Sequence, residues 1–357
     1  MTQILNCCVN KVIRIMIQTS NITYLRSKLS LILFLLMGLA SISSAQDLKK
    51  VMDLSHRWKF SIGDKQEWAN PEFNDSDWEW IDVPSAWENQ GFHGYDGFAW
   101  YRTTFSGRQL PDKQALYLQL GYVDDVHEVF VNGVRIGLSG KFPPRFSTAY
   151  NVFRSYKLPP DLLQESNTIA VRVYDAGGEG GIVHGNLGIM MDVDAVPLDV
   201  DLSGSWKFKT GQYAHENIDQ LNRWDNIIVP GNWEDQGYKN YDGYACYALE
   251  FKLKEEFVND RMVLILGKID DIDQVFVNGV LVGQSGEFKP QTVRERSNSW
   301  QQLRGYYLPQ NLLSSSEKNT IVVRVYDAIQ GGGIYSGSIG LISQDHYIKY
   351  WNKRRNK

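Results

Sequence analysis

The sequence predicts an all-β protein made of two tandem β-sandwich domains, and three observations predict it. A block of about 140 residues recurs once with only small gaps, each copy carries an Asn-Gly hairpin between alternating apolar residues, and no amphipathic helical run exceeds about two turns. A repeat of that length duplicates a whole domain, whereas solenoids and propellers repeat every 20 to 50 residues or so.

The copies align over residues 54–192 and 202–343. VPSAWENQGFHGYDGFAWY at 83–101 matches VPGNWEDQGYKNYDGYACY at 229–247, and LGYVDDVHEVFVNGVRIGLSG at 120–140 matches LGKIDDIDQVFVNGVLVGQSG at 266–286. NTIAVRVYDA at 167–176 matches NTIVVRVYDA at 319–328, and GGIVHGNLGI at 180–189 matches GGIYSGSIGL at 332–341. In this register His93 faces Lys239, His127 faces Asp273 and His184 faces Ser336, so histidine chemistry is not shared by the copies.

Val129 and Val131, then Val134 and Ile136, flank Asn132-Gly133, and Asn278-Gly279 repeats the pattern. Such a pair suits a type I′ turn, which needs positive φ at both central positions. The β-branched runs at 168–173 and 320–325 read as sandwich strands. Asp161-Leu162-Leu163 and Asn311-Leu312-Leu313, each shortly after a Pro, are expected to form single helical turns. The stretch 193–201 is short and carries one Pro, so two domains packed side by side are expected.

Residues 29–40, LSLILFLLMGLA, follow Arg26 and Lys28 and precede SISSA, a signal-peptide pattern with cleavage expected after Ala45. An apolar run of that length is shorter than the roughly 20 residues of a membrane span, so no span is expected after cleavage. The expected organisation is a signal peptide with an N-terminal extension at 1–45, sandwiches at 46–196 and 197–345, and a frayed, solvated basic tail at 346–357. The expected location is periplasmic, cell-envelope or extracellular. Residues 1–45 hold 4 of the 37 basic residues and no acids, leaving 33 basic against 41 acidic residues, a balance that disfavours nucleic acid. Cys246 alone remains after Cys7 and Cys8 leave, so hydrophobic cores rather than disulfides must hold the domains.

The order of blocks Trp58-Lys59-Phe60, VPSAW, DGFAWYRTTF, DDVHEVFVNG and GGEGGI, repeated as Trp206-Lys207-Phe208, VPGNW, YDGYACY, DDIDQVFVNG and QGGGI, carries a resemblance. It resembles the sugar-binding, jelly-roll domain of glycoside hydrolase family 2, of the β-galactosidase and β-glucuronidase type, within the galactose-binding-like superfamily. The resemblance implies two tandem jelly-roll sandwiches. In that family the domain accompanies a catalytic barrel of about 250 residues, and hardly more than a dozen residues follow the second copy. No GxSxG, HExxH or Cys/His cluster occurs, so a non-catalytic chain is expected.

Sugar recognition needs a flat apolar face and acids or amides whose acceptors suit neighbouring hydroxyls. Trp87, Glu88, Tyr95 and Asp96, with Trp233, Glu234, Tyr241 and Asp242, supply both within one loop of each copy. The alternative for Trp87 and Trp233 is to plug the sandwich end. The resemblance assigns a sugar-directed role to an Asn that the second copy keeps as Asn232 and the first replaces with Ala86. Asp175 and Asp327 end strands and run into glycines, followed by Glu179 in one copy and Tyr335 in the other. They read as a ligand rim or as turn caps. With Asn232 and Tyr335 in hand, the second copy is expected to bind sugar more tightly.

Asp124-Asp125 and Asp270-Asp271 invite a calcium reading. Adjacent acids on an extended strand point to opposite faces, so structural pairing with Arg172 and Arg324 is expected instead, with no cofactor. The expected function is an exported, non-catalytic carbohydrate-binding protein accessory to glycan degradation, acting with carbohydrate and in some systems with a separate catalytic chain. The alternatives are a family 2-related hydrolase subunit or remnant, and a structural, protein-contacting module of the cell envelope.

Overall fold

The computed structural model describes residues 48–111, 114–212, 220–288, 298–329 and 331–355. Residues 1–45, the expected signal peptide with its N-terminal extension, and with them Cys7 and Cys8, lie outside the described residues, as do His215 and Gln330. No helix among the described residues is long and apolar enough to cross a membrane.

The fold is all-β, with strands arranged in sandwich-like sheets. The first half runs β1 (Leu48–Asp53), β2 (Arg57–Ile62), β3 (Glu79–Asp82), β4 (Gly97–Ser106), β5 (Ala115–Asp124), β6 (Val126–Val131), β7 (Val134–Ser139), β8 (Phe153–Leu158), β9 (Ser166–Asp175) and β10 (Gly181–Asp192). The second runs β11 (Val200–Asp201), β12 (Gly204–Thr210), β13 (Asp225–Val229), β14 (Gly243–Phe251) and β15 (Met262–Ile269). It continues with β16 (Ile272–Val277), β17 (Val280–Ser285), β18 (Leu303–Tyr307), β19 (Asn319–Asp327) and β20 (Ile334–Ser343). In the first half a four-stranded sheet, β1-β10-β5-β8, accompanies a six-stranded sheet, β3-β2-β4-β9-β6-β7. The second half has β11-β20-β15-β18 and β13-β12-β14-β19-β16-β17, the same order with every strand number raised by ten.

Each pair of sheets closes on a core fed by alternate residues, as the two-residue period of a strand requires. Leu116, Leu118 and Leu120 of β5 meet Val129 and Val131 of β6 and Ile169, Val171 and Val173 of β9. Leu264 and Leu266 meet Val275, Val277, Ile321, Val323 and Val325 in the second half. Trp58 and Trp206 are fully buried and donate their indole N–H to the carbonyls of Leu54 (3.0 Å) and Leu202 (2.8 Å), which satisfies the polar end of each ring.

The Asn-Gly hairpins form as expected, with φ of 49° and 79° at Asn132-Gly133 and 48° and 79° at Asn278-Gly279. The asparagine amides also staple each hairpin to the crossover. Asn132 Nδ2 donates to Leu162 O (2.7 Å) and Asn167 Oδ1 (2.9 Å), and Asn278 Nδ2 donates to Leu312 O (2.7 Å) and Asn319 Oδ1 (3.0 Å). The first crossover is a 3-10 turn, Pro160–Leu162. The second is a simple turn rather than the expected helical one, because Asn311 takes a left-handed φ of 63°.

The halves touch. Gly140 N donates to Asp235 O at 2.6 Å, the Lys141 ammonium lies 4.7 Å from the Tyr238 ring, and Lys157 pairs with Asp201 at 2.7 Å with both groups largely buried.

The basic tail differs from its expected frayed state. Gln344–Arg355 forms a helix, α1, that packs Tyr347, Tyr350 and Trp351 against Val196, Val263, Ile265 and Ile342. These aromatics at i, i+3 and i+4 share one face of a helix. Tyr350 Oη donates to Asp194 O at 2.9 Å, and His346 Nδ1 sits 2.9 Å from Asp199 Oδ1. The lysines and arginines of this segment fill the remaining surface, which is why the sequence reads as solvated.

Candidate ligand-binding poles

One end of each half gathers the residues that both copies share. In the first, the 3-10 turn Trp87–Gln90, the end of β5, the end of β9 and the glycine-rich turn before β10 converge. In the second, the equivalents are Glu234–Gln236, the β15–β16 junction, the end of β19 and the turn before β20.

The tryptophans are plugs. Trp87 and Trp233 have no exposed surface, and their indole N–H groups donate inward to Tyr95 O and Tyr241 O, both at 3.1 Å. Phe60 and Phe208 lie 5.8 Å and 5.9 Å from these rings, in nearly the same tilted arrangement. Neither ring offers a face to a sugar, which corrects the platform expectation.

The glycine-rich turns lie flat against the same rings. A Cβ on Gly180 would fall 2.2 Å from Trp87 Cζ2, and one on Gly332 would fall 2.1 Å from Trp233 Cζ2. Glu88 Oε2 accepts the Gly180 N–H at 3.0 Å, and both Glu234 carboxylate oxygens accept the Gly332 N–H at 3.0 Å. The Trp-Glu pair therefore positions the turn, with the ring fixing its height and the carboxylate its register. Burial pushes the Glu234 carboxyl up to about 7, against the pull of the Gly332 N–H.

Tyr95 and Tyr241 are half-buried and spend their hydroxyls on Phe98 O (2.7 Å) and Tyr244 O (2.6 Å). Tyr335 is half-buried and donates to Trp300 O at 2.7 Å. Asn232 Nδ2 faces Asp235 Oδ2 at 3.4 Å, and the Asp235 carboxylate lies within the field of Arg154 from the first half. Asp96, Glu179 and Asp242 are exposed, so these acids form the accessible rim. In the first half an aromatic shelf borders that rim, where Phe98 stacks on Phe142 at 5.8 Å and Tyr174 meets Phe146 at 5.6 Å. Phe142 and Phe146 lie just beyond the matched block 120–140 and were not singled out in the sequence; Phe142 has its counterpart in Phe288, which lies 6.1 Å from Tyr244 in the second half.

Asp175 and Asp327 are turn caps with no exposed surface. Their Oδ1 atoms accept from Gly177 N (3.1 Å) and Ile329 N (3.2 Å). Burial pushes Asp175 up to about 6 and Asp327 up to about 7.

The paired acids overturn the strand argument applied to them. β5 ends at Asp124 and β6 begins at Val126, while Asp270 and Asp271 fall between β15 and β16, with Asp271 at a left-handed φ of 55°. The chain breaks its pleat there, so neighbouring carboxylates need not point to opposite faces. Carboxylate oxygens of Asp124, Asp125 and Asp175 lie within 4.8 Å of one another, as do those of Asp270, Asp271 and Asp327. The expected pairing with Arg172 and Arg324 is not formed. Arg172 pairs with Asp64 (2.5 Å) and Glu128 (3.1 Å) and covers Phe142, and Arg324 donates to Gln274 Oε1 (3.1 Å). Both arginines are taken up by these partners, and neither pairs with the clustered aspartates.

Residues 63–179 match the model of the β-galactosidase second all-beta domain. The β-galactosidase BoGH2A of Bacteroides ovatus is 30% identical over 170 residues, spanning 44% of this chain and 19% of that protein. A putative β-glucuronidase of Formosa agariphila is 31% identical over 152 residues, spanning 39% of this chain and 14% of that protein. The chain thus aligns with less than a fifth of either relative. The crystal structure of a Bacteroides uniformis β-glucuronidase superposes with a TM-score of 0.34 at 16% identity, covering 80% of this chain and 28% of that one. The chain carries a β-domain related to those of glycoside hydrolase family 2.

Proposed function

We propose that this chain is an exported, non-catalytic carbohydrate-binding protein that serves glycan degradation, built from two tandem jelly-roll domains of the galactose-binding-like kind. The observation that carries this reading is the alignment of its first half with a β-galactosidase β-domain. The repeated strand order, ten strands apart, supports the duplication, and the apolar segment at 29–40 supports export.

The sugar contacts are assigned to the accessible rim rather than to the tryptophans: Asp96 and Glu179 beside the exposed Phe146 ring, and Asp242 with Tyr335 in the second half. Acids suit adjacent hydroxyls, and an exposed ring suits the C–H face of a pyranose. The clustered carboxylates fall near the roughly 5 Å spacing of a retaining glycosidase pair. Asp175 and Asp327 have no exposed surface, however, so a sugar ring does not reach them, and the non-catalytic reading is favoured over a hydrolase subunit.

The test is a glycan array on the chain beginning at Gln46, followed by calorimetric titration of the retained glycan, with aryl glycoside and aryl acetate assays in parallel. Binding weakened by Asp96→Ala or Asp242→Ala, without turnover, is the expected result. Titrating those two variants separately also decides which half binds more tightly. Turnover abolished by one carboxylate substitution would replace this reading with the hydrolase, and retention of no glycan would favour a protein-contacting module.

A further inference from the structure

Each pole holds three carboxylates and a buried oxygen that no donor meets. Asp175 Oδ2 and Asp327 Oδ2 occupy equivalent positions in the two halves, have no exposed surface and lack any hydrogen-bond partner. The charges acting on Asp175 are those of Asp125, Asp96 and Glu88, and Glu88 Oε1 is likewise buried without a partner. Asp327 faces Asp270, Asp271 and Asp242. A buried carboxylate oxygen surrounded by acids and met by no donor is costly, because burial removes the water that would otherwise solvate it.

Nothing cationic among the described side chains is paired with these six aspartates. None takes part in an ion pair given by the described residues, and the nearest guanidiniums serve other groups. Arg154 donates to the carbonyls of Val123, Ala149 and Val152. Arg304 donates to those of Ile269, Asp271, Ser299 and Gln302 and to the Asp273 carboxylate.

The carboxylates are also held in place. Asp125 Oδ2 accepts the Ala176 N–H at 3.0 Å and its Oδ1 accepts the Thr148 hydroxyl, while Asp271 Oδ2 accepts the Ala328 N–H at 2.9 Å. Each cluster thus joins a strand junction, β5–β6 or β15–β16, to the end of β9 or β19 through amide-fixed acids. Such fixing removes much of the ordering cost that loose acids carry when they gather around an ion.

We propose that each pole binds one calcium ion through Asp124, Asp125 and Asp175 in the first half and Asp270, Asp271 and Asp327 in the second. Calcium takes six to eight oxygens at about 2.3–2.6 Å, so two of its ligands stand up to about 5 Å apart, and a 4.8 Å cluster fits around it. Water completes the shell on the side of Asp124 and Asp270, which are only partly buried. A small ion reaches Asp175 and Asp327 where a sugar does not. Because both clusters lie beneath the glycine-rich turns, the ion would tie β5–β6 to β9 and β15–β16 to β19, independently of any glycan bound at the rim.

Equilibrium dialysis of the metal-stripped chain against calcium chloride alone, up to about 5 mM so as to exceed the range of weak extracellular modules, tests this. Two ions per chain are expected, with a rise in Tm that EDTA reverses. Asp175→Asn and Asp327→Asn should each leave one ion and their combination none. Asp124→Asn and Asp270→Asn, at the more exposed positions, give the same one-ion loss should a buried variant fail to fold. A folded wild-type chain that takes up no calcium, or uptake unchanged in the folded double variant, would overturn the proposal. Glycan retention is not read in this experiment, so its outcome stands apart from the carbohydrate reading.

Discussion

Arg304 Nε donates to Asp273 Oδ1 at 2.6 Å in the interior of the second half, where both side chains are essentially without exposed surface. Tyr306 Oη donates to the other oxygen of the same carboxylate. In the first half the carboxylate is replaced by His127, which lies 3.5 Å from Arg154 and 2.7 Å from Tyr156 Oη. Burial, with Arg154 next in effect, holds His127 well below the usual imidazole range, so it is a neutral partner. Removing one member of a buried ion pair leaves the other uncompensated, at about 3–5 kcal/mol. Asp273→Ala is therefore expected to cost that much in urea unfolding, and His127→Ala clearly less. Equal losses would show that the arginines are held by carbonyls alone.

Trp233 is a second place where stability and binding separate. Deleting a fully buried tryptophan costs about 3–5 kcal/mol. Trp233→Ala should lose that much in chemical denaturation, and Trp87→Ala likewise. A Trp233→Ala chain of unchanged stability that no longer retains glycan would restore the platform role.

Gly332 and Gly331 are neighbours with opposite tolerances. A Cβ at Gly332 meets Trp233 Cζ2 at 2.1 Å and Asp327 Oδ2 at 2.8 Å, whereas at Gly331 the nearest atom is Asn232 Cγ at 3.8 Å. Overpacking of this kind costs about 1–3 kcal/mol. Gly332→Ala should lower Tm by several degrees and Gly331→Ala should leave it nearly unchanged, as scanning calorimetry would show.

The C-terminal helix is expected to contribute to folding. Tyr347 is buried against Val263, Ile265 and Ile342, and truncating a buried aromatic side chain costs about 3 kcal/mol or more. Tyr347→Ala should lower the urea midpoint, while Lys353→Ala on the exposed face should not. Equal, negligible effects would return the segment to a solvated tail.

The sequence by itself determined the strands, the hairpins and their recurrence, because these depend on local rules. Asn132-Gly133 adopts positive φ wherever it sits between strands, and two-residue alternation puts Leu118 and Val171 inward whatever the partner sheet. Only the tertiary structure decided what the shared motif residues do. Trp87 and Glu88 look like a sugar platform in a loop, and become a plug and an anchor only because Gly180, 92 residues on, lies against both. The aspartates of the two poles could not be grouped from spacing, since Asp125 and Asp175 are separated by β6 through β9 and meet only when those strands pair. The aromatic face of Gln344–Arg355 was concealed for the same reason: its basic residues dominate the composition, while the apolar surface that Tyr347 covers is assembled from β15 and β20. Local propensity is written in neighbouring residues. Burial and charge depend on what distant strands bring alongside.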